Sequence, residues 1–228
     1  MAKLIVLNPV IEMLLGKNGF ALLKKYLTKN DWYVRLPTVG KAAVLEQTRN
    51  YLKRQIPKPI IDSRCPLVVS MVYREFPDLI NRLSLVMPIL ITGALAEKEL
   101  CISKINKPVD DFLVITPCTA LMDRYQGVMG MDTNTWKGFK QATNFSLPEQ
   151  ILTVSPVPPG FFNELHVQIK EANGEVEVRA LLSNFATLPP GTEFLELLGC
   201  KGGCISGDGL WSFLTLIITA RLKKPRHF

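Results

Sequence analysis

The chain has 228 residues, of which 47% are hydrophobic and 21% are charged, so it is long enough to bury a core without disulfides and too apolar to be disordered. Its formal net charge is +7, but the lysines and arginines are scattered in short groups such as Lys24–Lys25 and Lys53–Arg54. The lack of a dense basic stripe with aromatic platforms argues against a nucleic-acid-binding protein. The excess of positive charge favours an acidic protein partner.

Strands and helices are predicted to alternate over the first part of the chain. Short apolar runs indicate strands at 3–10, 32–36 and 58–65, and apolar positions at helical spacing indicate helices at 10–30 and 37–55. This order predicts a parallel sheet with helices on its faces.

The middle of the chain is predicted to be mostly helical before one buried strand. Helices are indicated at 67–76, 78–83 and 88–100, and a continuous apolar run predicts a strand at 110–118. Residues 122–148 are rich in Gly, Asn and Thr and have few periodic positions, which predicts irregular structure.

The last part of the chain is predicted to contain a hairpin, a strand and a helix. Alternation around an Asn-Gly pair predicts a β-hairpin over 165–182, which places His166 in a strand. The apolar run 192–200 predicts a further strand, and 209–224 predicts a closing helix followed by a basic tail with His227. Neither histidine neighbours a carboxylate motif, so both are interpreted as structural or solvent-exposed.

No targeting or membrane-spanning segment is predicted. Pro9 and Glu12 interrupt the apolar run at the start of the chain, and no small-residue cleavage site follows. The apolar stretch at 210–222 has only about a dozen suitable residues, too few to span a bilayer. We therefore expect a cytoplasmic protein.

The cysteines carry the clearest chemical signal in the sequence. There are five, an odd number, without a secretion signal, which favours metal binding over a disulfide framework. Cys65, Cys118 and Cys200 each end an apolar run, and ligands of open α/β sheets bind at the carboxyl ends of strands. The sequence therefore predicts three thiols at one rim of a sheet, with Cys204 close enough to join them. Cys101 lies in no motif and is interpreted as a buried free cysteine.

Thiolates select zinc, copper(I) or iron–sulfur clusters. Structural zinc sites mostly use two close cysteine pairs, and only one such pair, Cys200 and Cys204, is present here. An iron–sulfur cubane is larger and can be held from several elements, and the glycines around this pair allow the backbone to approach it. An iron–sulfur cluster is therefore favoured, with zinc as an alternative. Thiol redox catalysis is disfavoured because the chain has no Cys-x-x-Cys.

At these cysteines the chain resembles the catalytic domain of iron-only (di-iron) hydrogenases and their hydrogenase-like relatives. The segments that resemble the three cysteine motifs of that family are DSRCPLV at 62–68, TPCTAL at 116–121 and ELLGCKGGCISGDG at 196–209. The resemblance implies an α/β fold with two small lobes of mostly parallel sheet, flanked by helices, and the cluster between them. It implies a single domain over 1–228, with one lobe at about 1–110 and the other at about 111–228.

The resemblance also implies roles for particular residues. It implies that a 4Fe-4S cluster is bound by Cys65, Cys118, Cys200 and Cys204. Cys204 matches the cysteine that in the hydrogenases also bridges to a di-iron subsite carrying carbon monoxide and cyanide. The residues expected to contact the cofactor are Gly202, Gly203, Gly207, Pro66 and Pro117.

The chain departs from the family pattern at positions that serve the di-iron half. Arg64 stands at the position of the proton-relay cysteine, and Leu121 at that of the lysine that holds a cyanide ligand. Val68 replaces the tryptophan of the first motif, and Arg124 falls on a relay glutamate. Leucine has no hydrogen-bond donor for cyanide, and arginine does not exchange protons near neutral pH.

These losses, beside four retained cysteines, lead to two hypotheses. The first is an iron–sulfur protein for electron transfer or redox sensing. The alternative is a minimal iron-only hydrogenase that interconverts protons and H2 at a di-iron site bridged by Cys204, with Glu196, Asp62 or Arg64 as candidate catalytic residues near the cluster. Because the chain has no ferredoxin-type cysteine run, either function implies a redox partner such as a ferredoxin or another iron–sulfur subunit.

Overall fold

The computed structural model describes residues 2–106 and 108–210. The strands are β1 (Ala2–Leu7), β2 (Trp32–Arg35), β3 (Ile60–Ile61), β4 (Val109–Thr116), β5 (Asp132–Thr135), β6 (Ile169–Asn173) and β7 (Phe194–Leu198). The α-helices are α1 (Pro9–Lys29), α2 (Gly40–Leu52), α3 (Pro66–Glu75), α4 (Ile89–Ile105), α5 (Thr119–Tyr125), α6 (Trp136–Thr143) and α7 (Glu175–Ser183). Short 3-10 helices lie at Pro77–Arg82, Val128–Gly130, Asn163–Leu165, Phe185–Thr187 and Gly203–Ser206.

The strands form two parallel sheets. The first has the order β2-β1-β4-β5 and the second the order β3-β7-β6. Helices cover both, as the continuous apolar strands require, because a parallel sheet is buried on both faces. The predicted α/β fold with mostly parallel sheets is confirmed.

Alternate residues of β1 build the two layers around the first sheet. Ile5 and Leu7 pack in one apolar cluster with α1, whereas Leu4 and Val6 pack on the other face with Ile91 of α4. These four side chains of β1 are fully buried. This two-residue alternation follows from the pleat of the strand.

The second sheet is centred on β7, in which all five residues are buried. Leu195 and Leu197 pack against α3 and α7. Phe194 points to the opposite face, where its ring lies 4.8 Å from that of Phe162. Glu196 shares this second face with Phe194 because the two residues are two apart in a strand.

The predicted hairpin over 165–182 is wrong. β6 ends at Asn173, and the chain then turns at Gly174, with a positive φ of 100°, directly into α7. β6 pairs parallel with β7 instead. A helix forms here instead of a second hairpin strand because Val178 and Leu182, four residues apart, are both buried on one helical face. His166 lies at the end of a 3-10 helix and not in a strand.

The prediction of irregular structure over 122–148 is also wrong. This segment contains β5 and α6. Both are short, which hides their periodicity, but the start of α6 has a clear signal. The Thr135 side chain caps the helix by accepting a hydrogen bond from the backbone N–H of Gly138 at 3.0 Å, and Trp136 and Phe139 are buried three residues apart.

The first three predicted strands do not share one sheet. β1 and β2 belong to the first sheet, whereas β3 has two residues and belongs to the second. Each sheet contains strands from both sides of residue 110. The division into lobes at about 1–110 and 111–228 stays a prediction about domain organisation. Of the helix predicted at 209–224, nearly all lies outside the described residues, as does His227. No helix in the described part of the chain is long and apolar enough to cross a membrane.

Candidate metal centre

A cavity of about 120 Å³ lies where the carboxyl ends of the two sheets face each other. Its wall includes Asn8 after β1, Cys65 after β3, Cys118 after β4 and Cys200 after β7. The parallel direction of the strands explains this position, because the carboxyl ends of all strands in a parallel sheet meet at one edge. The expectation of a single rim is therefore corrected to two rims, one from each sheet.

Four thiols reach this cavity from four points of the chain. Cys65 and Cys118 are the residues at which α3 and α5 begin, Cys200 follows β7, and Cys204 lies in the 3-10 helix Gly203–Ser206. Pro66 is the first residue of α3, where its missing N–H and fixed φ suit a helix start. The structure thus brings the four predicted ligands together. Cys101 is 1% exposed, lies in the apolar layer between β4 and α4, and does not line this cavity.

The thiols of the cavity are electrostatically linked. Burial raises the pKa of Cys118 to about 12, that of Cys200 to about 11 and that of Cys204 to about 12. The neighbouring Cys65 thiol contributes to each of these pKa increases. Cys204 is exposed as a residue, whereas protein atoms surround its sulfur. Without a bound cation, the thiols of Cys118, Cys200 and Cys204 are therefore neutral at pH 7.

We expect alkylation of the metal-free protein by iodoacetamide to reveal the raised pKa values of these three thiols. The rate at Cys118, Cys200 and Cys204, followed by mass spectrometry, rises roughly tenfold per pH unit through pH 10, because only the thiolate reacts. A free cysteine, with a pKa of about 8.5, levels off near pH 9 to 10. A plateau below pH 9 at these three residues would contradict the raised pKa values.

The glycines after Cys204 pack the third cysteine segment against the second. A Cβ atom at Gly207 would overlap the carbonyl oxygen of Pro117, and one at Gly209 would lie 2.7 Å from the Thr135 side chain. The Gly209 N–H donates to the Pro117 carbonyl at 3.1 Å. Close backbone contact here holds Cys118 and Cys204 on neighbouring parts of the cavity wall.

Asp208 adds a polar contact to the same junction. Its carboxylate accepts hydrogen bonds from the backbone N–H of Thr119 at 2.9 Å and from the Thr119 hydroxyl at 2.5 Å. Both contacts lie at the first turn of α5, directly after Cys118. The side chain is thereby engaged in holding two segments together.

Of the five residues predicted to contact the cofactor, four line the cavity and one does not. Gly203, Gly207, Pro66 and Pro117 line the cavity. Gly202 is not among the residues that line it; its N–H donates to the Asn173 side chain at 3.2 Å, and its positive φ of 77° turns the backbone towards Gly203.

Arg64 lines the cavity, whereas the other two candidate catalytic residues, Asp62 and Glu196, do not. Its Nε donates to Asp62 Oδ2 at 2.8 Å, and its Nη2 donates to Glu196 Oε1 at 3.0 Å. All three side chains are at least nine-tenths buried. Burial raises the pKa of Asp62, and the Arg64 charge opposes that rise. The three residues form a buried ion network rather than a chain of proton-exchanging groups.

Part of the cavity wall was missed by the sequence analysis. Asn8 and Pro37 follow β1 and β2, so the strand-end rule applied to the cysteines could have found them. The segment Ser155–Val157 had no signal, because it is an irregular stretch brought in by tertiary contacts. Lys41 holds it by donating from Nζ to the Pro156 carbonyl at 2.6 Å. Leu121 also lines the cavity.

Among the described residues, no group of three or more His, Cys, Asp or Glu side chains is arranged to hold a single metal ion. The donor set is nevertheless one that suits iron and sulfide, since it consists of soft thiols on a common cavity. One backbone group also points at a sulfur, because the Gly199 N–H donates to Cys65 Sγ at 3.3 Å. The residues fit an iron–sulfur group, and the metal centre itself stays a prediction.

Comparison with known proteins agrees with this geometry. Residues 36–123, which include Cys65 and Cys118, match the family model of the iron only hydrogenase large subunit, C-terminal domain. The segment with Cys200 and Cys204 lies outside the matched residues. A search of curated proteins finds no match.

Solved structures share the fold. One is an FeFe-hydrogenase described for oxygen inactivation through the 2Fe subcluster of its H cluster, at 15% identity and a TM-score of 0.62, covering 96% of this chain and 83% of that one. Another is a glutamate variant of FeFe-hydrogenase HydA1 from Chlamydomonas reinhardtii, at 16% identity and a TM-score of 0.61, covering 96% and 82%. An apo cysteine variant of the same enzyme has 15% identity and a TM-score of 0.59, covering 97% and 83%.

The family match over residues 36–123 and the shared fold make this chain similar to the iron-only hydrogenase catalytic domain. The resemblance drawn from the cysteine motifs is confirmed at this level.

Proposed function

We propose that Cys65, Cys118, Cys200 and Cys204 bind a 4Fe-4S cluster and that the protein uses it for electron transfer or redox sensing. The observation that carries this proposal is the meeting of four thiols on one cavity wall, from segments of both sheets. Ligands this far apart in sequence would not share a cavity by local folding alone. When bound, such a cluster supplies one-electron redox chemistry.

The chain's own residues support a cluster site in two further ways. Burial and mutual repulsion disfavour the thiolate forms of Cys118, Cys200 and Cys204, and a bound cation offsets this cost, because a coordinated thiol is deprotonated. The apolar and proline-rich wall around them, which includes Pro66 and Pro117, lowers the local dielectric at the sulfur ligands. A zinc site remains the competing occupant for the same thiols, and elemental analysis separates the two.

Hydrogen chemistry has less support from the same cavity. Leu121 lines it, and leucine offers no hydrogen bond to a bound cyanide. Arg64 lines it at the position of the relay cysteine, and an arginine side chain does not act as a proton relay. Glu196 and Asp62 both spend their oxygens on Arg64 and on backbone N–H groups. Arg64, Asp62 and Glu196 are thus bonded to one another and to the backbone rather than arranged as a proton relay.

The second candidate is a minimal iron-only hydrogenase, favoured by the extent of the cavity. Its wall continues beyond the cysteines to Asn8, Pro37 and Pro88, which leaves space that the thiols do not fill. Cys204 would bridge a di-iron group placed there.

Infrared spectroscopy tests the choice between the two candidates. For protein produced anaerobically with the hydrogenase maturation proteins, we expect a visible iron–sulfur absorption that bleaches on reduction and no bands from metal-bound carbon monoxide or cyanide. An authentic iron-only hydrogenase matured in the same cells is the positive control. Carbon monoxide and cyanide bands in this protein would move the hydrogenase candidate to first place.

We further propose an acidic redox partner, such as a ferredoxin or another iron–sulfur subunit. The net charge of +7 supports this proposal. Association with an acidic ferredoxin should weaken as the salt concentration rises, and association that is independent of salt would contradict the electrostatic part of the proposal.

A further inference from the structure

In the ion network formed by Arg64, Asp62 and Glu196, one member lines the cavity and the other two do not. Arg64 lines the cavity directly before Cys65, whereas its partners Asp62 and Glu196 lie behind it, each 2% exposed. Of the three charged residues, Arg64 is therefore the one that borders the cavity lined by the thiols. In a buried setting of low dielectric, the nearest charge dominates the local potential.

The orientation of Arg64 is fixed from several sides. Besides its bonds to the two carboxylates, its guanidinium lies 4.1 Å from the ring centroid of Phe162 and 4.7 Å from that of Phe161. The backbone N–H groups of the same two phenylalanines donate to the Glu196 carboxylate, each at 3.2 Å. The carboxylate that anchors Arg64 is thereby anchored itself.

The charge of Arg64 is permanent and reaches the thiols. Arginine stays protonated at all physiological pH values, unlike lysine or cysteine in a buried site. Arg64 directly precedes Cys65 and lines the same cavity as the four cysteines, so its charge lies beside the proposed ligands.

We propose that Arg64 is a fixed positive charge that raises the reduction potential of the cluster held by the four cysteines, with Glu196 as the opposing charge behind it. This inference rests on the proposed function. Gain of one electron adds one negative charge to the cluster, so a positive charge at the cavity wall stabilises the reduced state relative to the oxidised state. Arg64 is a positioning and tuning residue in this account, because it holds no metal and transfers no proton.

The test is an anaerobic redox titration of the loaded 228-residue chain and four variants. Arg64→Gln should lower the midpoint potential by at least a tenfold change in the reduction equilibrium, about 59 mV for one electron. Arg64→Lys, which keeps the charge, should stay closer to the unmodified protein than Arg64→Gln does. Glu196→Gln removes the opposing charge and should shift the potential upwards.

Arg179→Gln is the matched control. Arg179 also bonds two carboxylates, Glu75 and Glu175, but its side chain is 40% exposed and does not line the cavity. Its replacement makes the same change in net charge and should leave the midpoint potential unchanged. A shift as large as that of Arg64→Gln would mean that total charge, and not the position of Arg64, sets the potential.

The outcomes separate this inference from the proposed function. An unmodified chain without iron and sulfide overturns both. A loaded chain whose Arg64→Gln and Glu196→Gln variants keep their iron content and an unchanged potential overturns the role of Arg64 alone. If Arg64→Gln does not hold iron, Glu196→Gln decides: an upward shift supports the inference, and an unchanged or lower potential overturns it.

Discussion

Replacement of Cys118 with alanine is expected to remove the iron–sulfur absorption and most of the bound iron. Cys118 is held rigidly, because it follows the buried strand β4 and the Thr116 hydroxyl donates to its carbonyl at 3.0 Å. The carboxylate of Asp208, which is close to Cys118, is engaged with Thr119. Among the described residues, the Asp208 carboxylate beside Cys118 is therefore not available to replace the Cys118 thiol as a ligand.

The matched control is Cys101→Ala. Cys101 is a buried cysteine in the apolar layer with Phe112 and Ile91, and it does not line the cavity. Its truncation should cost about 1 kcal/mol of unfolding free energy and leave iron and sulfide per chain unchanged. Iron content, visible absorption and the circular dichroism of both variants are measured together. A Cys118→Ala protein that is folded and keeps its full iron content would remove Cys118 from the ligand set.

Substitution of Gly207 with alanine is expected to disturb both stability and cluster loading. The added methyl group would overlap the Pro117 carbonyl, which is backbone and cannot rotate away. Overpacking of this kind typically costs about 1–3 kcal/mol. Because Pro117 precedes Cys118, relief of the overlap moves a proposed ligand relative to Cys204, so iron content should fall more than stability alone explains.

Gly127→Ala is the control for this substitution. Gly127 has a positive φ of 76°, but a Cβ atom there would meet no other atom within 4 Å. The left-handed conformation costs an alanine about 1–2 kcal/mol, similar to the overpacking cost, without any contact with the cavity. Chemical denaturation and iron analysis compare the two variants. Equal iron loss in both would show that general destabilisation, and not contact with the second cysteine segment, controls loading.

The elements that position the cysteines were predictable because their signals are local. Apolar runs that end in Cys65, Cys118 and Cys200 mark strands, and the carboxyl ends of strands bind ligands in α/β folds. Helices were also predicted at 10–30, 37–55, 67–76 and 88–100, where α1 to α4 lie. These local patterns were sufficient for the fold class and for the convergence of the thiols.

The pairing of the strands was not predictable, because it depends on contacts distant in sequence. β3 pairs with β7, and β6 pairs with β7 in parallel, whereas the alternation around Gly174 favoured a hairpin. The same limit applies to the cavity. The position of Arg64 followed from the first motif, but its partnership with Glu196, 132 residues away, and with the backbone of Phe162 needed the folded chain.

Elemental analysis of iron, zinc and acid-labile sulfide per chain, on anaerobically purified protein made with the maturation proteins present, tests the central claim most directly. We expect about four irons and four sulfides, with no stoichiometric zinc. About six irons with four sulfides would assign a di-iron group to the space beside Cys204 and favour the hydrogenase candidate. Zinc alone, or no metal in a correctly folded protein, would contradict the assignment of Cys65, Cys118, Cys200 and Cys204 as ligands of a cluster.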